Sequence, residues 1–273
     1  MRLTAENYFS PEVNMRYMSA SQYKAFRTCE AAALAELRGE WKRPESVSLR
    51  LGNYVDAYLT GSIEAYRQEH PELFKRDGSL KAEYQNAQEA AERLARDDLA
   101  RMLLAGRHQV IRKGRIGGVR YKAKMDSVLT AVQVEKICRQ FPEVRKLVPL
   151  GGPMIVDLKY MRDFEPIWSE EYQDKICFAE YWGYDIQGAI YQALDGRNAP
   201  FVIVAVSKES EPNIDAFYIP DDALSLALEE IAENSSRYLE IKKGNLMPTS
   251  CGKCAYCRRE KQLSKIKHYK ETA

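Results

Sequence analysis

A carboxylate and an ammonium group stand two positions apart in residues 154–159, which read Met-Ile-Val-Asp-Leu-Lys. Three apolar residues precede the aspartate and follow a Gly-Gly-Pro break, a pattern typical of a buried strand that begins after a turn. Residues two apart in a strand point to the same face, so Asp157 and Lys159 are expected side by side. Such a pair can serve a metal-dependent hydrolysis, or it can be a structural ion pair at a strand end.

A second carboxylate, Asp126, ends an alternating segment. Residues 109–112 and 119–126 flank glycines at 114, 117 and 118, which predicts a β-hairpin. Lys122, Lys124 and Asp126 then share one polar face, which is either a binding surface or the exposed face of an edge strand. A short amphipathic helix is predicted between this strand and that of Asp157. Two adjacent strands joined in this way would bring Asp126 and Asp157 to one end of a sheet.

Three further polar groups lie on predicted helices. Asp56 falls within a helix predicted over residues 47–59, where it is either a site residue or a solvated position. A long helix or helix pair is predicted over residues 170–194. On it Gln187 and Tyr191 share a face with Tyr184. Aromatic residues at this spacing usually belong to the core, but a glutamine between them needs a polar partner.

The sequence Cys251-x2-Cys254-x2-Cys257 has the spacing of metal-binding thiolates. A closed tetrahedral zinc site or an iron-sulfur cluster needs four ligands, so a fourth must come from elsewhere in the chain. The alternative is three reduced cysteines that bind nothing. Six cysteines in 273 residues do not indicate a disulfide-stabilised scaffold.

Composition excludes several classes of protein. The net charge is +2 and 29% of residues are charged, so nucleic acid binding is not evident from the overall charge. No apolar stretch is long enough to span a membrane, and the first ten residues lack the apolar core of a signal peptide. We therefore expect a cytoplasmic protein. A chain of this length can bury a core without disulfides.

The predicted elements run in the order helices, strand, strand, helix, strand, strand, helix. This order favours an α/β fold with a small mixed sheet flanked by helices. We expect a single domain over residues 1–273, with a helical N-terminal part (19–106), a core (107–220) and a C-terminal helix with a cysteine-rich tail (221–273). Serines at 19 and 21 predict the start of a helix that continues through the alanine-rich residues 31–37 and carries Cys29.

Read in order, Asp126, the Asp157-Leu158-Lys159 triplet, and Gln187 with Tyr191 resemble the PD-(D/E)XK nuclease superfamily. They look most like its RecB-type exonuclease branch and the phage exodeoxyribonuclease VIII-like (RecE-like) group. Residues 51–58, Leu-Gly-Asn-Tyr-Val-Asp-Ala-Tyr, are similar to the first acidic motif of that group, with an aspartate where many RecB-type nucleases have histidine. Residues 19–29 resemble its opening helix.

The resemblance implies a restriction-endonuclease-like core and a Mg²⁺- or Mn²⁺-dependent deoxyribonuclease, most simply an exonuclease on linear double-stranded DNA in phage or prophage recombination or repair. Asp126, Asp157 and the carbonyl of Leu158 would bind the metal, with Asp56 contributing to a second ion or a water. Carboxylates and carbonyls suit magnesium. Lys159 would orient the attacking water and stabilise the developing charge.

Further expectations also rest on the resemblance. Gln187 and Tyr191 would position the DNA backbone or the attacking water, and Lys122, Lys124 and Arg162 would contact phosphates. Cys29 would join the three late cysteines around a [4Fe-4S] cluster, with zinc as the alternative. RecE-like relatives form rings and work with a single-strand annealing protein. Two other classes stay open, a catalytically inactive DNA-binding or recombination accessory module and a zinc-binding interaction protein.

Overall fold

The computed structural model describes residues 2–44, 46–147, 151–264, 266 and 268. Within them the helices are α1 (Pro11–Arg16), α2 (Ala20–Thr28), α3 (Glu30–Leu37), α4 (Val47–Leu59), α5 (Ile63–Glu69), α6 (Ala82–Arg96), α7 (Asp98–Leu104), α8 (Ala131–Gln140), α9 (Phe178–Tyr181), α10 (Tyr184–Asp195), α11 (Asp221–Lys243) and α12 (Ala255–Arg259). Short 3-10 helices span Pro71–Leu73 and Pro142–Leu147. The strands are β1 (Arg107–Ile116), β2 (Val119–Leu129), β3 (Met154–Met161), β4 (Ile167–Ser169), β5 (Asp174–Ile176), β6 (Phe201–Ser207) and β7 (Ile214–Ile219).

Five of these strands form one mixed sheet in the order β1-β2-β3-β6-β7. β3 and β6 run parallel, and the other neighbouring pairs are antiparallel. The predicted α/β fold with a small mixed sheet flanked by helices is therefore confirmed. β4 and β5 form a separate hairpin. The last residues of the predicted single domain, 269–273, lie outside the described part of the chain.

Helices cover both faces of the sheet, and β6 shows this most directly. Phe201, Ile203 and Ala205 of β6 belong to the core cluster beneath α2, α10 and α11, whereas Val202 and Val204 belong to the cluster beneath α4 and α6. Because side chains alternate along a strand, a strand covered on both faces needs apolar residues at every position. This explains why the continuous apolar run of residues 201–206 is buried throughout.

α10 approaches the sheet closely because it carries a glycine at its contact with β6. A Cβ atom added to Gly188 would lie 2.5 Å from the Phe201 ring and 2.8 Å from Leu224. No side chain fits in this space without displacing the helix. The neighbouring Gln187 is thereby held close to β3.

Two predicted helices differ in the structure. The helix or helix pair predicted over residues 170–194 is a pair, α9 and α10, but it starts later than predicted. Residues 167–176 form the β4–β5 hairpin instead, and Gln173 adopts a left-handed backbone (φ 53°) at its turn. The helix predicted to carry Cys29 is two helices. Ser19 caps α2 as expected, but Cys29 is extended (φ −165°) and forms the corner between α2 and α3.

No helix within the described residues combines the length and the apolar character that crossing a membrane requires.

Candidate active site

The two predicted carboxylates lie at a fork between β2 and β3. These strands pair only through residues 127–129 of β2 and 154–156 of β3. Asp126 and Asp157 are the next residue on each strand, where the pairing stops. Beyond the fork β2 stays paired with β1 and β3 with β6, so both strands continue while they separate from each other. The prediction that both aspartates end their strands is therefore wrong, since each lies in a strand interior.

The Asp126 side chain bridges the opened strands. Its Oδ2 accepts a hydrogen bond from the backbone amide of Leu158 at 3.2 Å, where a ladder hydrogen bond would otherwise form. Burial, followed by the negative charge of Asp157, raises the pKa of Asp126 to about 8, and the positive charge of Lys159 offsets this only in part. The ionised form of Asp126 is thus disfavoured at the fork, and a bound cation would stabilise it.

Asp157 is 1% exposed and uses its two oxygens differently. Oδ1 accepts a hydrogen bond from Gln187 Nε2 at 2.7 Å. Oδ2 forms an ion pair with Lys159 Nζ but receives no hydrogen bond of regular geometry from the described residues. A buried carboxylate oxygen without its full set of hydrogen bonds has a lone pair available for a metal ion.

Lys159 stands on the same face of β3 as Asp157, as the spacing predicts. Burial lowers the pKa of this ammonium, but the charges of Asp157 and Asp126 outweigh burial and the pKa is raised overall. Lys159 Nζ also lies 4.8 Å from the centre of the Tyr184 ring, within the range of a cation–π interaction. The lysine therefore stays charged beside both carboxylates.

Gln187 and Tyr191 link α10 to both strands of the fork. Gln187 Nε2 also donates to the Tyr191 hydroxyl at 3.1 Å, and that hydroxyl donates to the carbonyl of Lys124 at 3.1 Å. Burial, followed by the charges of Asp157 and Asp126, raises the pKa of Tyr191 well above its usual value. Both side chains hold the carboxylate and the β2 backbone in place. Their predicted contact with DNA or water stays a prediction.

Asp56 lies on α4, which packs against β3. Burial raises the pKa of its carboxyl and the charge of Asp157 raises it further, whereas His108 and Lys124 act in the opposite direction. Asp56 is therefore an electrostatic neighbour of the fork, and its role as a metal ligand stays a prediction. Helix α4 spans the predicted residues 47–59.

The predicted phosphate contacts have different environments. The prediction that Lys122 contacts a phosphate is wrong. This residue is 1% exposed, and its ammonium donates to the carbonyl of Tyr8 and to Asn14 Oδ1. The N-terminal segment covers the face that strand alternation predicts to be open. Lys124 is half-buried, and Arg162 is exposed with an ion pair to Asp163 at 2.6 Å.

Sequence reasoning missed Lys24 of α2, which lies near the ion pair. Burial and then the positive charge of Lys159 lower the pKa of Lys24 to about 8, and its Nζ donates to the carbonyl of Trp182 at 3.1 Å. No spacing rule connects residue 24 with residue 159, so only the packing of α2 beside α10 brings this lysine to the site. Tyr184 belongs to the predicted helical stripe, but its contact with Lys159 was not anticipated.

A second cluster joins Cys29 to the late cysteines. The sulfur atoms of Cys29, Cys251, Cys254 and Cys257 all lie within 4.8 Å of one another and could hold a metal ion. The Sγ atoms of Cys29 and Cys257 are 3.5 Å apart, and those of Cys251 and Cys257 are 3.9 Å apart. The structure thus brings Cys29, which the resemblance implied, together with the three late cysteines of the motif.

Backbone amides point at two of these sulfurs. The amide of Cys254 donates to Cys251 Sγ at 3.3 Å, and the amide of Cys257 donates to Cys254 Sγ at 3.4 Å. The amides of Cys254 and Lys253 lower the pKa of the Cys251 thiol to about 6. Such donors stabilise the thiolate, which is the form that binds metals.

The carboxylate of Glu30 fixes the chain on both sides of this cluster. It accepts hydrogen bonds from Arg237 at 2.7 and 2.8 Å and from the amide of Thr249 at 2.7 Å. Burial raises the pKa of Glu30, but the bonds from Arg237 and Thr249 outweigh burial, so its pKa is lowered overall. Glu30 follows Cys29 directly and Thr249 precedes Cys251 by two positions, so this contact brings the early and late cysteines together.

Comparisons with known proteins agree with this geometry. The family model of a "PDDEXK-like domain of unknown function (DUF3799)" matches residues 19–135 and 149–260. Among solved structures, the crystal structure of a "Putative exonuclease" from Eubacterium rectale is 35% identical, with a TM-score of 0.84, and the match covers 98% of this chain and 97% of that one. A comparison with the curated proteins finds no match.

Proposed function

Because the chain belongs to the family of PDDEXK-like domains of unknown function, we propose that it is a metal-dependent deoxyribonuclease that hydrolyses DNA phosphodiester bonds. The observation that carries this proposal is the fork, where Asp126, Asp157 and Lys159 meet. A nuclease of this type needs two carboxylates for a cation and one charged group near the reacting phosphate. The fork offers all three.

The residues at the fork fit a divalent cation. Asp126 carries a pKa raised to about 8 by burial and by the charge of Asp157, and Asp157 Oδ2 lacks a regular hydrogen bond from the described residues. We assign Asp126, Asp157 and the carbonyl of Leu158 as ligands of Mg²⁺ or Mn²⁺, with Asp56 contributing to a second ion or a water. When bound, the cation supplies charge stabilisation at the phosphate and a lower pKa for a nearby water.

Side chains of the protein then position the water, the carboxylate and the DNA phosphates. Lys159 leaves its ion pair with Asp157 to hold the attacking water and to stabilise negative charge that develops on the phosphate. Gln187 and Tyr191 keep the Asp157 carboxylate and the β2 backbone in register while this happens. Lys124 and Arg162 contact phosphates of the DNA.

We assign exonuclease activity on linear double-stranded DNA. The description of the similar Eubacterium rectale protein as a "Putative exonuclease" supports this assignment, and so does the RecE-like resemblance of the motifs. A role in phage or prophage recombination or repair, a ring assembly and a single-strand annealing partner rest on that resemblance alone.

The test compares linear and closed-circular duplex DNA in the presence of Mg²⁺ or Mn²⁺. We expect the wild-type chain to degrade the linear form, and Lys159→Ala to lose this activity while its circular dichroism stays unchanged. Lys243→Ala is the matched control, because Lys243 is an exposed lysine at the end of α11 that pairs with Glu240. If closed-circular DNA is cut as readily as linear DNA, the proposal of phosphodiester hydrolysis is supported and the exonuclease assignment fails.

A chain that cuts neither substrate would favour a second candidate, a catalytically inactive DNA-binding or recombination accessory module. The same result, together with one zinc ion and no DNA binding, would favour the zinc-binding interaction protein. The meeting of Asp126, Asp157 and Lys159 argues for the nuclease over both, because neither alternative requires these groups to meet.

For the cysteine cluster, the distances favour a single tetrahedral ion. A Zn–S bond of about 2.3 Å in tetrahedral geometry separates the sulfurs by about 3.8 Å. Two of the six sulfur–sulfur separations, at 3.5 and 3.9 Å, are close to this value, and all six lie within 4.8 Å. A four-iron cluster places irons and sulfides between the thiolates and holds their sulfurs farther apart.

We therefore propose zinc rather than [4Fe-4S] as the resident group of this cluster. Elemental analysis and visible absorption of the purified protein test this assignment. One zinc per chain without a visible chromophore would support it. Iron and sulfide in a brown protein would contradict it and would favour the [4Fe-4S] cluster that the resemblance implies.

A further inference from the structure

A groove of about 620 Å³ opens beside the fork and extends away from Gln187 and Tyr191. One wall is the N-terminal segment around Tyr8 and Phe9, and the other is formed by α2 and the end of α3. Gln187, which donates to Asp157, lines the groove at this end. The groove therefore extends from a residue that contacts the fork.

Among the charged residues that line the groove, cations outnumber acids. Lys24, Lys124, Arg38 and Arg43 contribute positive charge, and Glu36, which pairs with Arg43 at 3.3 Å, is the acidic residue among the groove-lining residues. The chain as a whole is nearly neutral at +2, so positive charge is concentrated here. A polyanion such as a nucleic acid strand complements this lining.

Phe9 is an exposed aromatic ring fixed at the mouth of the groove. Its side chain is 67% exposed, while the neighbouring Tyr8 is 6% exposed and contacts it edge-on with ring centres 4.9 Å apart. The ammonium of Lys124 lies 4.8 Å from the centre of the Phe9 ring. An apolar ring held in solvent beside a cation offers both a stacking surface for a base and a partner for its phosphate.

The position of this ring is set by buried contacts. Lys122 donates to the carbonyl of Tyr8, and Asn14 Nδ2 donates to the carbonyl of Phe9 at 3.0 Å. Lys122 also binds Asn14 Oδ1 at 2.6 Å, so one buried lysine holds both ends of this turn. The ring is preorganised, which lowers the entropic cost of binding a ligand.

We propose that this groove binds a single strand of DNA on its way to the fork, and that Phe9 stacks on a base close to the scissile phosphate. This inference rests on the proposed function and names the form of the substrate. The groove has the volume of a small-molecule site, roughly 300–1,000 Å³, which suits one or two nucleotides and excludes a duplex. A blunt duplex must therefore fray before its strand reaches Asp157.

The experiment measures binding to short single-stranded oligonucleotides that carry 2-aminopurine at one terminal position, with Ca²⁺ in place of Mg²⁺ to prevent cleavage. Stacking on an aromatic ring quenches this base. We expect quenching with the wild-type chain, and for Phe9→Ala a loss of quenching with about 5- to 150-fold weaker binding. Phe9→Trp should restore both. Because Phe9 is mostly exposed, the substitutions should not disturb folding, which circular dichroism checks.

Trp168→Ala is the matched control, since Trp168 is an aromatic residue that is 51% exposed and does not line the groove. It should leave binding and quenching unchanged. If Phe9→Ala binds and quenches like the wild type while the wild type still digests DNA, the groove inference is overturned and the nuclease stands. If the wild-type chain neither binds nor cuts any DNA, the proposed function fails and this inference fails with it.

Discussion

Gln187 of α10 donates a hydrogen bond of 2.7 Å to Asp157 of β3, and the same amide nitrogen reaches the hydroxyl of Tyr191. A group that orients a metal-binding carboxylate typically accounts for 10- to 100-fold in metal affinity or activity. The close approach of α10 at Gly188 makes this contact possible. The geometry of the fork therefore depends on a helix that carries neither carboxylate.

We predict that Gln187→Leu reduces the rate of DNA hydrolysis by about 10- to 100-fold. The substitution keeps the side-chain bulk but leaves Asp157 Oδ1 without its donor. Steady-state kinetics over a range of Mg²⁺ concentrations should show that half-maximal activity requires more Mg²⁺, with little change in the KM for DNA. A change confined to KM would instead place Gln187 in contact with the substrate. Gln192→Leu, on the same helix but bonded to Asp221 and Ala199, serves as the control.

Asp126→Asn should stabilise the metal-free protein while abolishing activity. The carboxyl group is buried beside Asp157, and its raised pKa of about 8 shows that its charged form is disfavoured there. An amide oxygen can still accept the hydrogen bond from Leu158. We expect the free energy of unfolding in EDTA to rise by about 0.5–2 kcal/mol, as for other substitutions that relieve a strained active site.

Urea unfolding with and without Mg²⁺ measures this effect. Mg²⁺ should stabilise the wild type, because it binds the folded state, and should leave Asp126→Asn unchanged. Equal stabilisation of both proteins by Mg²⁺ would exclude Asp126 as a ligand.

Glu30→Gln should lower the free energy of unfolding by an amount that depends on pH. The pKa of Glu30 is lowered below its ordinary value of 4.5 because the bonds from Arg237 and Thr249 outweigh burial. Its contribution to stability is therefore fully present above pH 4.5 and is lost as the pH falls through the lower folded-state value. Because Arg237 is partly exposed, we expect a loss of only about 1–2 kcal/mol at pH 7.

Urea denaturation of both proteins at several pH values tests this expectation. The difference between them should be constant near neutral pH and should shrink in acid. Glu64→Gln, at an exposed residue of α5, should behave as the wild type. A difference that grows in acid would have the wrong sign for a lowered carboxyl pKa.

Cys29→Ser should remove the ion from the cysteine cluster. The serine hydroxyl is a poor ligand, and three thiolates do not close a tetrahedral site. We expect the metal content to fall from about one ion per chain to a small fraction of that value, with a lower thermal midpoint. Elemental analysis and thermal unfolding give the two readouts. Cys177→Ser is the matched control because Cys177 is an exposed cysteine outside the cluster.

Local sequence patterns predicted much of the scaffold. The apolar run before Asp157, the glycine turn at 117–118 and the periodicity of residues 47–59 each depend on short-range chemistry, and the structure has strands and a helix at these places. The relation of Asp157 to Lys159 follows from strand geometry alone. The cysteine spacing likewise identified three of the four clustered thiols.

Contacts between residues far apart in the chain could not be predicted from local sequence patterns. Alternation along β2 indicated that Lys122 faces solvent, but the turn at residues 8–14 covers it, and no local pattern encodes that contact. The fork lies where β2 and β3 stop pairing with each other while each stays paired with its outer neighbour, and no local pattern marks that point. Lys24 and Phe9 reach the site only through the packing of the N-terminal helices and turn.

The contact between Cys29 and Cys257 also constrains the order of events during synthesis. These residues are 228 positions apart in the chain. A growing polypeptide cannot assemble the four-thiolate site until nearly all of the sheet and its helices have been translated. Any ion that these four cysteines bind is therefore loaded after residue 257 has been translated, and the contact of the α2–α3 corner with the cysteine-rich tail forms equally late.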